Sequence, residues 1–230
     1  MWKLNGTEAY LEKGNWRAHY CTAHPELGVL FSHSDSKANC AMIGLVQPST
    51  GSSRPASECY VRQNDLIADF AQSDQSQFGF ETYFRLIPSS SHDLLGLEIW
   101  LSVQTELLDS TPAMDLTSII PNSYWEIVSD LMVEGVPAAW RSLPSGDGST
   151  TAGLAALVLV HPLDVGQTNY VANPLAAKDM LPLRIFSHFM EKGVIRRARV
   201  QVYLSHEPLS AGLCRDLFEQ FAASELPLTT

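Results

Sequence analysis

Phe78-Gly79-Phe80-Glu81-Thr82-Tyr83-Phe84-Arg85-Leu86-Ile87 and Leu95-Gly96-Leu97-Glu98-Ile99-Trp100-Leu101-Ser102-Val103-Gln104 decide the fold of this chain. In the first run the even positions Phe78, Phe80, Phe84 and Leu86 are apolar, and in the second the odd positions are. Successive strand side chains point to opposite faces, so each run buries one side and shows the other. Phe80, Phe84, Leu97, Ile99 and Leu101 form the expected core. The shown side carries Glu81, Tyr83, Arg85, Glu98, Trp100 and Gln104. A loop at Pro88–Asp93 sets Ile87 opposite Leu94, which places Tyr83 against Glu98, Phe84 against Leu97 and Glu81 against Trp100.

Strand-like segments recur outward from this meander in both directions. They are Trp16–Thr22, Gly28–Ser32, Asn39–Val46, Glu58–Phe70, Tyr124–Val128, Leu154–His161, Leu181–Met190 and Val194–Leu204, separated by Gly, Pro, Ser and Asn clusters. Many short strands with turn residues between them indicate a sandwich or barrel, and the lack of long helical periodicity disfavours a nucleotide-binding parallel sheet. One helix is expected near Ser210–Ser224, capped by Ser210, with Leu213, Leu217, Phe218 and Phe221 on one side and Pro227 beyond its end. It is expected across an edge or end of the sheets. Loops are expected at Gln47–Ser57 and Leu143–Gly153.

A hairpin turning at Lys192-Gly193 would pair Leu181–Met190 with Val194–Leu204. His188 then opposes Arg197, Phe186 opposes Arg199 and Ile185 opposes Val200. One face is apolar, and Arg184, His188, Arg197 and Arg199 share the other.

The 230 residues are expected to form one domain, with 45% hydrophobic residues to fill its core. The formal net charge of -10 argues against nucleic acid, which needs a basic footprint, and against an anionic membrane. No apolar run approaches the roughly 18–20 residues of a membrane span. The N-terminus lacks a signal-like apolar stretch, and Asn5-Gly6-Thr7 reads as a turn. A cytoplasmic location is expected, with Cys21, Cys40, Cys59 and Cys214 as reduced thiols. These cysteines have no CxxC pair or finger-like His partner, so no structural metal is expected.

Two constellations carry chemistry. On the Glu81, Tyr83, Arg85, Glu98, Trp100 and Gln104 face, flat rings beside carboxylate, amide and guanidinium groups suit a sugar. Rings stack on C–H faces while polar groups pair with vicinal hydroxyls. The plainer reading is ordinary cross-strand packing on a solvated face. The Arg184, His188, Arg197 and Arg199 patch suits a carboxylate or phosphate, or an internal charge network. Elsewhere the signals are thin. His19 and His24, five apart, point to opposite faces of a strand, and His33, His92, His161 and His206 sit near turns without a metal-binding motif. Gly146-Asp147-Gly148-Ser149 lacks the rest of a phosphate loop, and no GxSxG elbow occurs.

The run Glu191-Lys192-Gly193-Val194-Ile195-Arg196-Arg197-Ala198-Arg199, the segment Glu58–Phe70 and the terminal SELPLTT look like uncharacterised bacterial all-β proteins. The many-stranded texture over most of the chain also resembles the galactose-mutarotase-like supersandwich. That resemblance implies a fold shared by aldose epimerases and sugar-binding domains, and a His acid with a Glu base, for which His188 and Glu98 are the positions on offer. Fold analogy alone does not carry catalysis. The expectation is a large, mostly antiparallel β-sandwich with a C-terminal helix and no obligatory cofactor. It would bind a carbohydrate or small polar ligand on a sheet face, or else dock another protein there without catalysis.

Overall fold

The computed structural model describes residues 1–35, 39–47, 54–89, 93–145, 154–170 and 179–225. His92, Gly146–Ser149, Pro227 and the middles of both expected loops lie outside them. In chain order the strands are β1 Trp2–Asn5, β2 Glu8–Lys13, β3 Trp16–Cys21, β4 Val29–His33, β5 Asn39–Val46, β6 Glu58–Arg62 and β7 Asp65–Phe70. Next come β8 Gly79–Ile87, β9 Leu94–Gln104, β10 Met114–Ile119, β11 Ser123–Ile127, β12 Met132–Val133 and β13 Val136–Pro137. The chain continues with β14 Ala139–Pro144, β15 Ala155–Val160, β16 Thr168–Tyr170, β17 Met180–Ile185, β18 Ile195–Ser205 and the helix α1 Ala211–Ala222.

Two eight-stranded antiparallel sheets form a sandwich. The first runs β1-β2-β3-β4-β5-β10-β17-β16 and the second β11-β14-β15-β18-β9-β8-β7-β6, while β12 and β13 pair with each other. Alternation explains the core. Trp16, Ala18 and Tyr20 of β3 face inward from the first sheet, and Phe80, Phe84, Leu97, Ile99 and Leu101 meet them from the second, all buried as expected. The Tyr20 and Phe84 rings lie 4.8 Å apart across the interface, and Trp2 stands 6.4 Å from the same Phe84. The Asn5-Gly6-Thr7 segment makes the expected turn, with Gly6 at φ +61° and Asn5 paired to Glu8.

Four expectations are corrected. Glu58–Phe70 is two strands, because Gln63 adopts φ +57° and reverses the chain so that Arg62 pairs with Asp65. The β8–β9 register is slipped by two residues. Ile87 pairs with Gly96, Arg85 with Glu98 and Tyr83 with Trp100, rather than Tyr83 with Glu98. A slip of two leaves every side chain on its expected face. Gly96 permits this register, since a Cβ there would stand 2.9 Å from the Tyr203 ring and 3.0 Å from Ile87.

The 181–204 hairpin does not form. β17 pairs with β10 and β16 in the first sheet, and β18 with β15 and β9 in the second. The turn near Gly193 exists, with Val194 N–H donating to Glu191, but the segment between crosses from sheet to sheet. Phe186, at φ +70°, ends β17 and is buried, whereas Phe189 is exposed. Ile185 and Val200 are both buried, on opposite sheets.

The helix α1 forms where expected, with Leu213 N–H donating to Ser210 Oγ at 3.2 Å. It lies on the outer face of the second sheet rather than at an edge. Cys214, Leu217 and Phe221 cover Leu157, Leu159 and Tyr203, making a second apolar layer. The outer face is thereby divided: β14, β15 and part of β18 are covered, while β7, β8 and β9 stay open. Among the described residues no helix is long and apolar enough to cross a membrane.

Candidate functional site

The open half of that face is built from three cross-strand rows. In the first, Glu58, Asp69, Glu81, Ser102 and Arg197 are successive partners from β6 to β18. The second runs Tyr60, Ile67, Tyr83, Trp100, Arg199, and the third Arg62, Asp65, Arg85, Glu98, Gln201. Directly opposed residues on one face interact, so each row is a chain of contacts.

The third row holds itself together. Arg85 donates from Nε and Nη2 to the two carboxylate oxygens of Asp65 at 3.1 and 2.8 Å, a bidentate pair that raises the pKa of Arg85. The same guanidinium lies 4.9 Å from the Trp100 ring centroid. Trp100 Nε1–H donates to Glu98, whose other oxygen accepts from Gln201 Nε2 at 3.2 Å, and Tyr203 O–H donates to Gln201 at 2.8 Å. Arg85, Glu98 and Trp100 are therefore committed to one another. Tyr83 stands 5.9 Å from Trp100, ring to ring, and Arg62 lies 5.7 Å from the Tyr83 centroid.

The first row is different. Asp69, Glu81, Ser102, Gln104 and Arg197 line a depression that Phe80, Val103 and Ile195 also border. Burial pushes the Glu81 carboxyl up, a hydrogen bond from Tyr83 works against this, and the Asp69 charge adds to the rise. Asp69 accepts from Ser57 Oγ at 2.7 Å. Among the described residues, no hydrogen bond engages the side chains of Ser102, Gln104 or Arg197. The depression unites Glu81 and Gln104 of the polar-aromatic set with Arg197 of the basic set.

The basic set does not assemble through a hairpin. Arg184, on the outer side of the first sheet, is held by Asp115 in a bidentate pair of 2.7 and 2.9 Å. His188 is exposed in the crossing segment, and among the described residues no hydrogen bond or ion pair joins it to Glu98. Arg199 is only 4% exposed, with its backbone N–H donating to Asp164 at 3.0 Å and its Nε 3.7 Å from that carboxylate. Its Nη1 and Nη2 have no partner, and Phe221 of α1 covers it at 5.9 Å. Burial and the Arg199 charge bring the pKa of neighbouring His161 down to about 4.

No protein-family model matches the chain, and no curated protein matches it. Its likeness is to solved structures. The Slr1438 protein of Synechocystis sp. PCC 6803 superposes with a TM-score of 0.50 at 13% identity, over 90% of this chain and 100% of that one. An alpha-N-acetylgalactosaminidase, NagBb from Bifidobacterium bifidum, superposes with a TM-score of 0.45 at 15% identity, over 86% of this chain. The chain spans 36% of that enzyme. At 13% identity the likeness to Slr1438 shows the all-β sandwich fold and nothing finer.

Asp69 and Ser102 of the depression escaped sequence reasoning. Ser102 shares parity with Glu98, Trp100 and Gln104, which was a usable signal. Asp69 became assignable only once Glu58–Phe70 was seen to fold back on itself. A second polar cluster, on the outer side of the first sheet, was missed as well. There Glu8 accepts from His19 and from Cys21 Sγ, and Tyr10 stacks on His19 at 4.9 Å.

Proposed function

We propose that the protein binds a carbohydrate, or a small polar ligand of that kind, on the open half of the second sheet's outer face. The seat is the depression at Glu81, Ser102, Gln104 and Arg197. The observation that carries this reading is the contrast between rows: Arg85 and Glu98 are spent on Asp65, Trp100 and Gln201, whereas Ser102, Gln104 and Arg197 keep their hydrogen-bonding capacity. Unspent donors and acceptors beside a carboxylate are what a polyhydroxylated ligand pairs with. The neighbouring Tyr83–Trp100 pair supplies the aromatic wall, preorganised by Arg85 and Glu98. A docking face would be flat with a polar rim, so the depression favours the ligand reading over the interaction module. A cytoplasmic setting goes with it, where the four free thiols stay reduced.

The test is calorimetry against a panel of mono- and oligosaccharides, followed by Gln104→Ala and Arg197→Ala. Binding by the parent, weakened about tenfold or more by each substitution at unchanged melting temperature, supports the reading. No binding across the panel, or binding indifferent to both substitutions, overturns it.

A further inference from the structure

Asn5-Gly6 is the one Asn-Gly pair in the chain, since the other six asparagines precede Trp16, Cys40, Asp65, Ser123, Tyr170 and Pro174. An asparagine amide can be attacked by the backbone nitrogen of the next residue where that nitrogen is uncrowded, and glycine leaves it least crowded because it has no Cβ. The turn between β1 and β2 presents the pair openly. Asn5 is the last residue of β1 and is exposed, and Gly6 takes φ +61°. A Cβ built on Gly6 would meet nothing within 4 Å. Among the described residues no hydrogen bond engages the Asn5 side-chain amide or the Gly6 N–H. Electrophile and nucleophile are therefore adjacent, in water and uncommitted.

We propose that Asn5 is a modification site at which the folded protein deamidates spontaneously, with water as the only co-reactant. The Gly6 nitrogen attacks Asn5 Cγ, the new C–N bond closes a five-membered imide, and the Cγ–Nδ2 bond breaks to release ammonia, which carries off the Gly6 proton. Water then opens the imide at either carbonyl, leaving an aspartate or an isoaspartate at position 5. The change reaches the polar cluster on the outer side of the first sheet. Asn5 pairs with Glu8 and Glu8 with Cys21, so the three form one cross-strand row. Glu8 accepts from Cys21 Sγ at 3.2 Å and from His19, and these bonds hold its carboxyl below the usual range. A carboxylate at position 5 stands directly across from that of Glu8, and like charges opposed on neighbouring strands destabilise the pair. The isoaspartyl link also lengthens the backbone at the end of the β1–β2 ladder. Either product therefore loosens the turn that positions Glu8.

The experiment ages the folded protein in mildly alkaline buffer and maps its tryptic peptides by mass spectrometry, with a sample unfolded in urea alongside. The peptide from Leu4 to Lys13 is expected to gain one mass unit and to split into aspartyl and isoaspartyl forms, ahead of every other asparagine-containing peptide. Asn5→Gln, whose side chain would have to close a six-membered ring, should keep that peptide unchanged over the same time. A peptide that stays intact in the folded protein while the unfolded sample converts would show that the turn protects Asn5, and would overturn the inference. So would faster conversion at any other asparagine. The consequence has its own arm in Asn5→Asp, which is expected to lower the melting temperature of the parent but not of Glu8→Gln. An equal drop in both backgrounds, or no drop in either, would overturn the coupling to Glu8.

Discussion

The Arg85 guanidinium holds Asp65 with two hydrogen bonds and at the same time lies 4.9 Å from the Trp100 ring centroid. One side chain therefore ties the charge of β7 to the aromatic of β9. Asp65→Ala is expected to free Arg85, alter the tryptophan emission from Trp100, and cost about 1–3 kcal/mol, since Asp65 is nearly buried. Chemical denaturation with fluorescence detection checks this, and an unchanged emission spectrum in Asp65→Ala would disconnect the pair from Trp100.

Phe84 is fully buried between the sheets, with Tyr20 at 4.8 Å. Phe84→Ala should cost about 3–5 kcal/mol through the cavity it leaves. A loss below about 1 kcal/mol in urea unfolding would contradict its central place.

The register of β8 against β9 has its own test. Gly96 sits where a methyl group meets Tyr203 at 2.9 Å and Ile87 at 3.0 Å. Gly96→Ala is expected to destabilise by about 1–3 kcal/mol through overpacking. In the register expected from sequence, Gly96 would face Arg85 rather than Ile87, so a neutral substitution would revive that alternative.

His161 carries a pH dependence. Its pKa falls from 6.5 to about 4 in the fold, so the folded state resists protonation that the unfolded chain accepts. Its contribution is complete above the unfolded value near 6.5 and is lost as pH falls toward about 4, on the order of 3 kcal/mol in all. Asp164 and Arg199 are the charged neighbours on this side of α1. The difference in unfolding free energy between parent and His161→Asn should shrink as pH drops from 7 to 5. A constant difference over that range would show that His161 does not titrate in this way.

The thiols should be sluggish. Burial pushes Cys40 up to about 12 and Cys59 up to about 11, and it raises Cys21 and Cys214 as well. Alkylation by iodoacetamide at pH 7 is expected to be slow at all four and to quicken with pH at half-buried Cys21 and Cys59 before Cys40 and Cys214. Rapid labelling of any of them at pH 7 would reveal a thiolate.

Faces were legible in the sequence, and partners were not. Alternation places Tyr83, Arg85, Glu98 and Trp100 outward whatever strand lies alongside, and a slip of two residues leaves that placement untouched. Pairing depends on contacts with distant segments. Ile185-Phe186, two consecutive apolar residues, break the alternation where the chain leaves the first sheet, a break that a hairpin ending at Lys192-Gly193 ignores. Strands β10 and β14 were overlooked because runs such as Met114–Ile119 carry a small polar residue, here Ser118, at an inward position, whose burial only the tertiary structure reveals. The depression suffered the same way: Asp69, Ser102 and Arg197 come from three strands, and only their register makes them neighbours.

Strand β18 passes from water to protein interior within three outward positions: Arg197 is exposed, while Arg199 and Gln201 are buried. The boundary is set by Phe221, in the last turn of α1. A helix one turn shorter would uncover Arg199 and His161 and widen the accessible surface by a strand, with the two unpartnered terminal nitrogens of Arg199 at its new margin. The length of a peripheral helix therefore sets the extent of this surface, and related chains can resize it without altering a single residue of the sheet.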